Sequence, residues 1–412
     1  MRSIKSIIGK GDLFILSAII ATHLLFFFLI RDHGMMMDEH YHYRQIVRFI
    51  GGDFTPDPEL PMIPGYHYVI SGIGKIFNLL EHSYYGAVSY FRFISLIISL
   101  GIIPVFYLVA RIKDEKSAII RTLQFSFFPL VSPFFFLIYT DLPSLLLMLG
   151  AFYLMLKKRM FWGVILASFN IYLRQNNIIW LMFFYVYFYV RENGYKWDTE
   201  KVKRYVISKY YFLLGPMLFA IYMLMNKRLS MGKVTHVNFT LVHPSNIYLI
   251  LFTLFILFWP VILGRSGEIL QMIRRNFKYA IVPAVLFPFF ALTFSNTHPF
   301  NQGPFFIHNF AAVYFTQDLV HKLLLYTMVF LAVVFLLVGR LLKREDYILY
   351  PAALLFLLPL WFIEQRYYIV PFTFYILFRK KEESIIEYSL VLFFLAASVF
   401  IYLGIFNWKF FP

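Results

Sequence analysis

Cysteine is absent from this chain of 412 residues, which removes disulfides, thiolate-ligated metals and thiol chemistry together. Charge is scarce as well. Asp, Glu, Lys and Arg make up 15% of the residues, against roughly a quarter in soluble proteins. There is no glycine loop to cradle phosphates and no pair of histidines four apart around a glutamate, so cytosolic nucleotide chemistry has no support. The longest basic loop, Arg191 to Lys209, is too short to bury a core. No pair of matching halves with broken helices, the mark of many transporters, is visible.

What fills the chain is apolar: 60% of the residues are hydrophobic and 21% aromatic. They come in blocks such as Leu13 to Ile30 and Leu323 to Val338, long enough for helices, which close their own hydrogen bonds in lipid. The spacing predicts an all-α polytopic membrane protein, one membrane domain over 1–412. Its spans are 12–31, 89–110, 118–139, 142–157, 160–173, 177–190, 210–226, 246–264, 279–295, 319–339, 347–363, 367–378 and 386–406. With the N-terminus inside, the clusters Arg2/Lys5/Lys10, Arg111 to Arg121, Lys157 to Arg159, Arg191 to Lys209, Arg265 to Lys278, Arg340 to Arg344 and Arg379 to Lys381 fall on the cytoplasmic side. They hold about 26 of the 38 Lys and Arg, as cytoplasmic loops require. The first run has no small-residue cleavage site and reads as a retained span. The net charge of +16 is spread along membrane-edge loops, which suits anionic lipid headgroups and not nucleic acid.

The first outer loop, 32–88, departs from a plain bundle. Val69, Ile70, Ile73, Ile76, Phe77 and Leu80 recur at helical spacing and predict an amphipathic helix on the membrane surface. A second short helix is expected over Tyr43 to Ile50, with turns at Gly51-Gly52-Asp53 and Pro56 to Pro64. The loop is therefore a platform on the outer face.

Asp38 and Glu39 stand together beyond the first span. Paired acids at a membrane cavity suit general-base work, since partial desolvation raises a carboxylate's pKa. Either could equally cap the helix that follows. His40 and His42 invite a metal, but two residues apart they point to different sides of a helix, and no metal or other cofactor is expected. Arg174 with Gln175, and Gln365 with Arg366 and Tyr367, lie at expected outer span ends, where a guanidinium fork can grip a lipid phosphate. An isolated arginine there could instead snorkel to the headgroups. His236, His298 and His308 fall in outer loops and could donate to phosphate or sugar hydroxyls. Asn238-Phe239-Thr240 fits a glycosylation acceptor, a pattern common by chance.

Met37-Asp38-Glu39 with His42, Pro61 to Tyr68, Arg174-Gln175-Asn176-Asn177-Ile178-Ile179-Trp180, Gly232-Lys233 with His236, His298-Pro299-Phe300, and Arg366-Tyr367-Tyr368-Ile369-Val370-Pro371 follow in that order. The set resembles the dolichyl-phosphate-glucose dependent α-1,2-glucosyltransferases of N-glycan precursor assembly, in the GT-C superfamily of membrane glycosyltransferases. The chain departs in lacking an acid between Gly232 and Lys233 and in reading Asn301-Gln302-Gly303 after the His-Pro-Phe run. The resemblance implies a bundle of about 11–14 transmembrane helices. It also implies inverting transfer of glucose from a polyprenyl (dolichyl) phosphate to a lipid-linked oligosaccharide. Asp38, or else Glu39, would be the base. Arg366, Arg174 and His298 would bind the donor phosphate, and His42, Gln175, His236, Gln365 and Tyr367 would contact acceptor or sugar. The membrane would be the endoplasmic reticulum in a eukaryote and the cell membrane in a prokaryote. A transporter or lipid-linked sugar flippase is the main rival, and a non-catalytic assembly subunit the second.

Overall fold

A computed structural model describes residues 9–81, 84–226, 242–275, 278–302, 310–407 and 409. All regular structure among them is helical apart from an isolated bridge between Leu341 and Arg379. Four helices are long and apolar enough to cross a bilayer: Lys10–Ile30, Ala87–Lys113, Leu319–Val338 and Ser384–Ile405. Thr199–Ser208 and Tyr210–Asn226, bent by 68°, would make a fifth. The chain is a multi-pass all-α membrane protein. Most other expected spans appear as shorter apolar helices, such as Asp141–Leu156 and Met160–Ile171.

The chain divides into two compact units, residues 1–126 with 131–235 and residues 127–130 with 236–412. The first unit carries α1 (Lys10–Ile30), α2 (Glu39–Ile50), α3 (Gly65–Ile76), α4 (Tyr84–Leu100), α5 (Ile102–Lys113), α6 (Ala118–Ser126), α7 (Asp141–Leu156), α8 (Met160–Ile171), α9 (Asn177–Asn193), α10 (Thr199–Ser208) and α11 (Leu214–Asn226). The second includes the Ser245–Leu257, Leu319–Val338, Ile369–Phe378 and Ser384–Phe406 helices.

The span expected over 118–139 is a departure. Helix α6 stops at Ser126, and residues 127–140 run on without α-helix, apart from a 3₁₀ turn at Ser132–Phe135. Pro129 and Pro133 remove the backbone N–H groups a continuous helix needs. The whole stretch is buried, the condition under which irregular backbone is tolerated at membrane depth.

The platform expected over 32–88 is a pair of packed helices. α2 begins at Glu39, four residues before the expected start, and buries Glu39, His42, Tyr43, Ile46 and Phe49, one stripe of a 3.6-residue helix. It ends in a turn whose Gly52 has φ +85°, open to glycine and costly for other residues. α3 turns Tyr66, His67, Ile70 and Gly74 inward. Of the face expected to rest on the membrane surface, Val69, Ile76 and Phe77 are exposed, whereas Ile70 is buried and Leu80 packs against the core. Tyr43, Ile46, Tyr66, Ile70, Phe91 and Ile138 form the shared core beneath.

Candidate active site

Asp38 stands half-buried at the N-cap of α2, and its side chain makes no capping hydrogen bond. The capping alternative therefore does not explain it. Its backbone N–H donates to the Tyr139 hydroxyl at 3.0 Å, and that hydroxyl donates to the Met36 carbonyl at 3.2 Å. Met37 between them has φ 49°, a left-handed conformation that costs a side-chain-bearing residue roughly 1–2 kcal/mol. Strain of this kind is held only where the surroundings over-determine the turn.

Glu39 supplies much of that restraint. It is wholly buried, and its carboxylate accepts from Arg92 Nε at 2.8 Å and Nη2 at 2.5 Å, and from the backbone N–H groups of Met36 at 2.9 Å and Ile138 at 3.1 Å. Arg92, also wholly buried, donates its remaining N–H groups to the carbonyls of Ile30, Arg31, His33 and Gly34 at 2.6–3.2 Å. One guanidinium thus fastens the end of α1, the following turn and the acid beside Asp38. The two neighbouring acids differ in what they can do: Glu39 is an anchor, while Asp38 keeps solvent exposure.

The run 138–141, which leads from the non-helical stretch into the first residue of α7, is the spine of the site. Ile138 touches Glu39 and Tyr139 holds Asp38; the Thr140 hydroxyl lies 3.5 Å from Met62 sulfur, and Asp141 pairs with Arg174 Nη1. Gln175 next to it donates to the Pro61 carbonyl at 2.9 Å and accepts from Ile63 N–H at 3.4 Å. The Gly65 N–H reaches the Tyr172 carbonyl at 3.2 Å. A side chain at Gly65 would stand 2.5 Å from that oxygen, so only glycine permits the approach. Thus the Asp38, Pro61 and Arg174 segments, far apart in sequence, meet in one place.

Below Asp38 lie two buried imidazoles. His42 Nδ1 and His67 Nε2 are 2.8 Å apart, with the rings stacked at 5.1 Å, and His42 also lies against Tyr139. Wholly buried, His42 supports the site from beneath in this arrangement; the sugar contact expected of it would need a surface it does not present. Burial, and then the neighbouring His42, hold the His67 pKa well below 6.5 against the opposing pull of Asp57. Asp57 accepts two hydrogen bonds from Arg44, at 2.5 and 2.9 Å, and one from Glu59 N–H at 3.0 Å. Its burial favours the neutral acid, but Arg44 and the Glu59 N–H outweigh it and lower the pKa.

The remaining expected residues belong to the second unit or lie outside the described residues. His236 and His308 are among the latter. Arg366 pairs through Nε with Glu364 two residues earlier. Gln365 and Arg366 are half-buried and Tyr367 is buried. Asn246 donates to the carbonyls of Leu360 and Phe362 at 2.9 and 3.0 Å. Asn301 fixes Ile363 through both backbone groups. His298 is buried beside Trp361 and Phe362. In this chain the Asn301 departure has a structural use, holding the strand of backbone that leads to Arg366. Among the described residues no group of three His, Asp or Glu side chains is placed to hold a metal ion.

Arg92, Tyr139, His67 and Asp57 were not singled out by sequence. A charge inside an apolar run was available as a signal for Arg92. Tyr139 carries none, being one of 30 tyrosines.

The site falls within a stretch that known proteins share. Residues 33–209 match the DIE2/ALG10 family. Over 182 residues the chain is 30% identical to the rat protein named Dol-P-Glc:Glc(2)Man(9)GlcNAc(2)-PP-Dol alpha-1,2-glucosyltransferase, covering 41% of this chain and 38% of that protein. A human protein of the same name is 29% identical over the same extent, and one from Arabidopsis thaliana is 26% identical over 161 residues, 36% of this chain and 32% of its own. The matches thus span less than two fifths of the length of these relatives. No solved structure matches. The DIE2/ALG10 match takes in Asp38, Glu39, Arg92, Tyr139, Asp141, Arg174 and Gln175, and excludes His298 and Arg366.

Proposed function

We propose that the chain is an inverting glycosyltransferase that moves glucose from a polyprenyl (dolichyl) phosphate to a lipid-linked oligosaccharide, forming an α-1,2 linkage. The observation that carries the reading is the coincidence of the matched stretch with a restrained, solvent-reachable Asp38. Asp38 takes the proton of an acceptor hydroxyl as its oxygen bonds to the anomeric carbon of the donor. The bond from that carbon to the phosphate oxygen breaks, and its electron pair stays on the departing phosphate. A single displacement on a β-linked donor gives an α product. Charge grows on the phosphate at the transition state, so cations fixed beforehand stabilise it more than the ground state. Arg174 is the candidate in the first unit, since it spends only one N–H on Asp141. Arg366 and His298 are the candidates in the second. Gln175 acts by holding the Pro61–Ile63 segment, and Gln365, Tyr367 and His236 remain acceptor-side candidates. The scheme uses no metal. The reaction is assigned to the outer or lumenal face, with the N-terminus cytoplasmic: the endoplasmic reticulum membrane in a eukaryote, the cell membrane in a prokaryote.

The decisive variant is Asp38→Asn, assayed with purified protein, polyprenyl-phosphate glucose and a lipid-linked acceptor. It keeps the side chain's shape and removes proton acceptance, so transfer should fall by roughly 100-fold or more, in the range typical of a general base. The melting temperature should not change. Transfer at the wild-type rate by Asp38→Asn protein would remove Asp38 from the mechanism. Movement of donor across a bilayer without covalent product would replace the enzyme with a flippase.

A further inference from the structure

The loop that Gln175 holds in place also walls a cavity of about 410 Å³, within the size range of small-molecule sites. Phe54, Tyr68, Tyr172 and Tyr222 provide ring surface, and Pro56 and Pro64 close the gaps. Polar groups share the wall, among them Asn226 at the end of α11. Tyr68 is preorganised, stacked on Phe49 at 4.4 Å with the rings 7° from parallel, yet it is 46% exposed and Phe54 62%. Tyr68, held on α3 by its stack on Phe49, and Phe54 in the preceding loop are thus open ring surface and not core.

The chemistry of the wall selects the occupant. A hexose shows one face of C–H bonds that lies against an aromatic ring and an edge of hydroxyls that needs hydrogen-bond partners. A wall of rings and polar atoms meets both demands: the Asn226 amide donates one N–H to the Tyr222 carbonyl at 2.9 Å and has a second N–H to offer a hydroxyl. Ile63, Pro64 and Gly65 of the same wall follow Met62, which touches Thr140 beside the Asp38-holding Tyr139. The cavity is therefore tied to the Asp38 site through two or three residues of one pinned loop.

We infer that this cavity is a carbohydrate subsite, which grips a sugar of the acceptor oligosaccharide away from the hydroxyl that reacts. The inference rests on the proposed glycosyl transfer. Tyr68 and Tyr222 act here as binding residues, so their effect belongs in acceptor affinity. In Tyr68→Ala and Tyr222→Ala, the acceptor KM should rise about tenfold, the size expected for one lost ring contact. The rate at saturating acceptor and the donor KM should stay within about twofold. Tyr68→Phe, which keeps the ring, should restore the acceptor KM. In parallel, the acceptor oligosaccharide released from its lipid is offered to the same proteins, and saturation-transfer NMR reads its contact. The signal should be present with the wild type and attenuated in Tyr68→Ala. Unchanged acceptor KM in folded variants, or a rise confined to the donor, overturns the subsite. Absence of any transfer by the wild type defeats the proposed function alone, because the released oligosaccharide still decides whether the cavity binds sugar.

Discussion

At the residue scale, the site is built on one unequal pair of neighbours. Glu39 and Arg92 are both wholly buried and joined by two hydrogen bonds. A buried pair of this kind is weak evidence for stability, but removing one partner leaves a charge stranded and typically costs about 3–5 kcal/mol. Arg92→Met should therefore lower the melting temperature in detergent steeply. Adding Glu39→Gln should recover only part of the loss, because the carbonyls of Ile30, Arg31, His33 and Gly34 still lack their donor. Asp38→Asn should melt as the wild type does. A wild-type melting curve for Arg92→Met would show that the pair restrains nothing. The two acids were legible in the sequence because they stand together where an apolar block ends. Their division of labour was not, since the arginine that decides it lies 53 residues away inside a run that reads as a plain span.

At the scale of elements, α2 and α3 are locked face to face, and the lock contains a titratable pair. His67 on α3 meets His42 on α2, with Asp57 the opposing charge and Tyr66 beside the rings. Because the fold holds the His67 pKa well below 6.5, the unfolded chain takes up this proton first as pH falls. Stability is then full above about 6.5 and declines with acidification below it, at ~1.4 kcal/mol per pH unit for one proton. Replacing His67 with Gln removes the proton site, so that variant's melting temperature should fall less between pH 7 and pH 5 than the wild type's. Parallel curves for the two proteins would mean that the pair is not the acid-sensitive point. The helical period in this loop was readable, and so was its amphipathic character. The contact was not, because His40 and His42 on α2 and His67 on α3 give no pairing signal until the packing is known.

For the whole molecule, hydropathy located many helices well and failed at 118–139, where Pro129 and Pro133 intervene. The blocks at 142–157, 160–173, 319–339 and 386–406 became Asp141–Leu156, Met160–Ile171, Leu319–Val338 and Ser384–Phe406. Apolar composition alone cannot distinguish a helix from buried irregular chain, so 118–139 looked the same as its neighbours. The distinction matters for topology, because Lys157 lies on the cytoplasmic side only if 118–140 still crosses the bilayer. Its two ends join different neighbours. Arg121 lies 3.8 Å from Asp114, next to the basic Arg111 to Lys116 turn, while Ile138 reaches Glu39 on the expected outer loop. The absence of cysteine makes the test clean, since the native chain is silent to thiol reagents. Single substitutions at exposed positions, Glu59→Cys, Lys157→Cys, Lys203→Cys and Lys381→Cys, would each be treated with a membrane-impermeant maleimide in sealed, right-side-out cells or microsomes of defined orientation. The positive-inside pattern places Glu59 on one face and the three lysines on the other. Glu59→Cys should label from the outer or lumenal side, and the other three only from the cytoplasmic side. Labelling of Lys157→Cys from the same side as Glu59→Cys would mean that the proline-broken segment turns back without crossing, and would invert every helix after it.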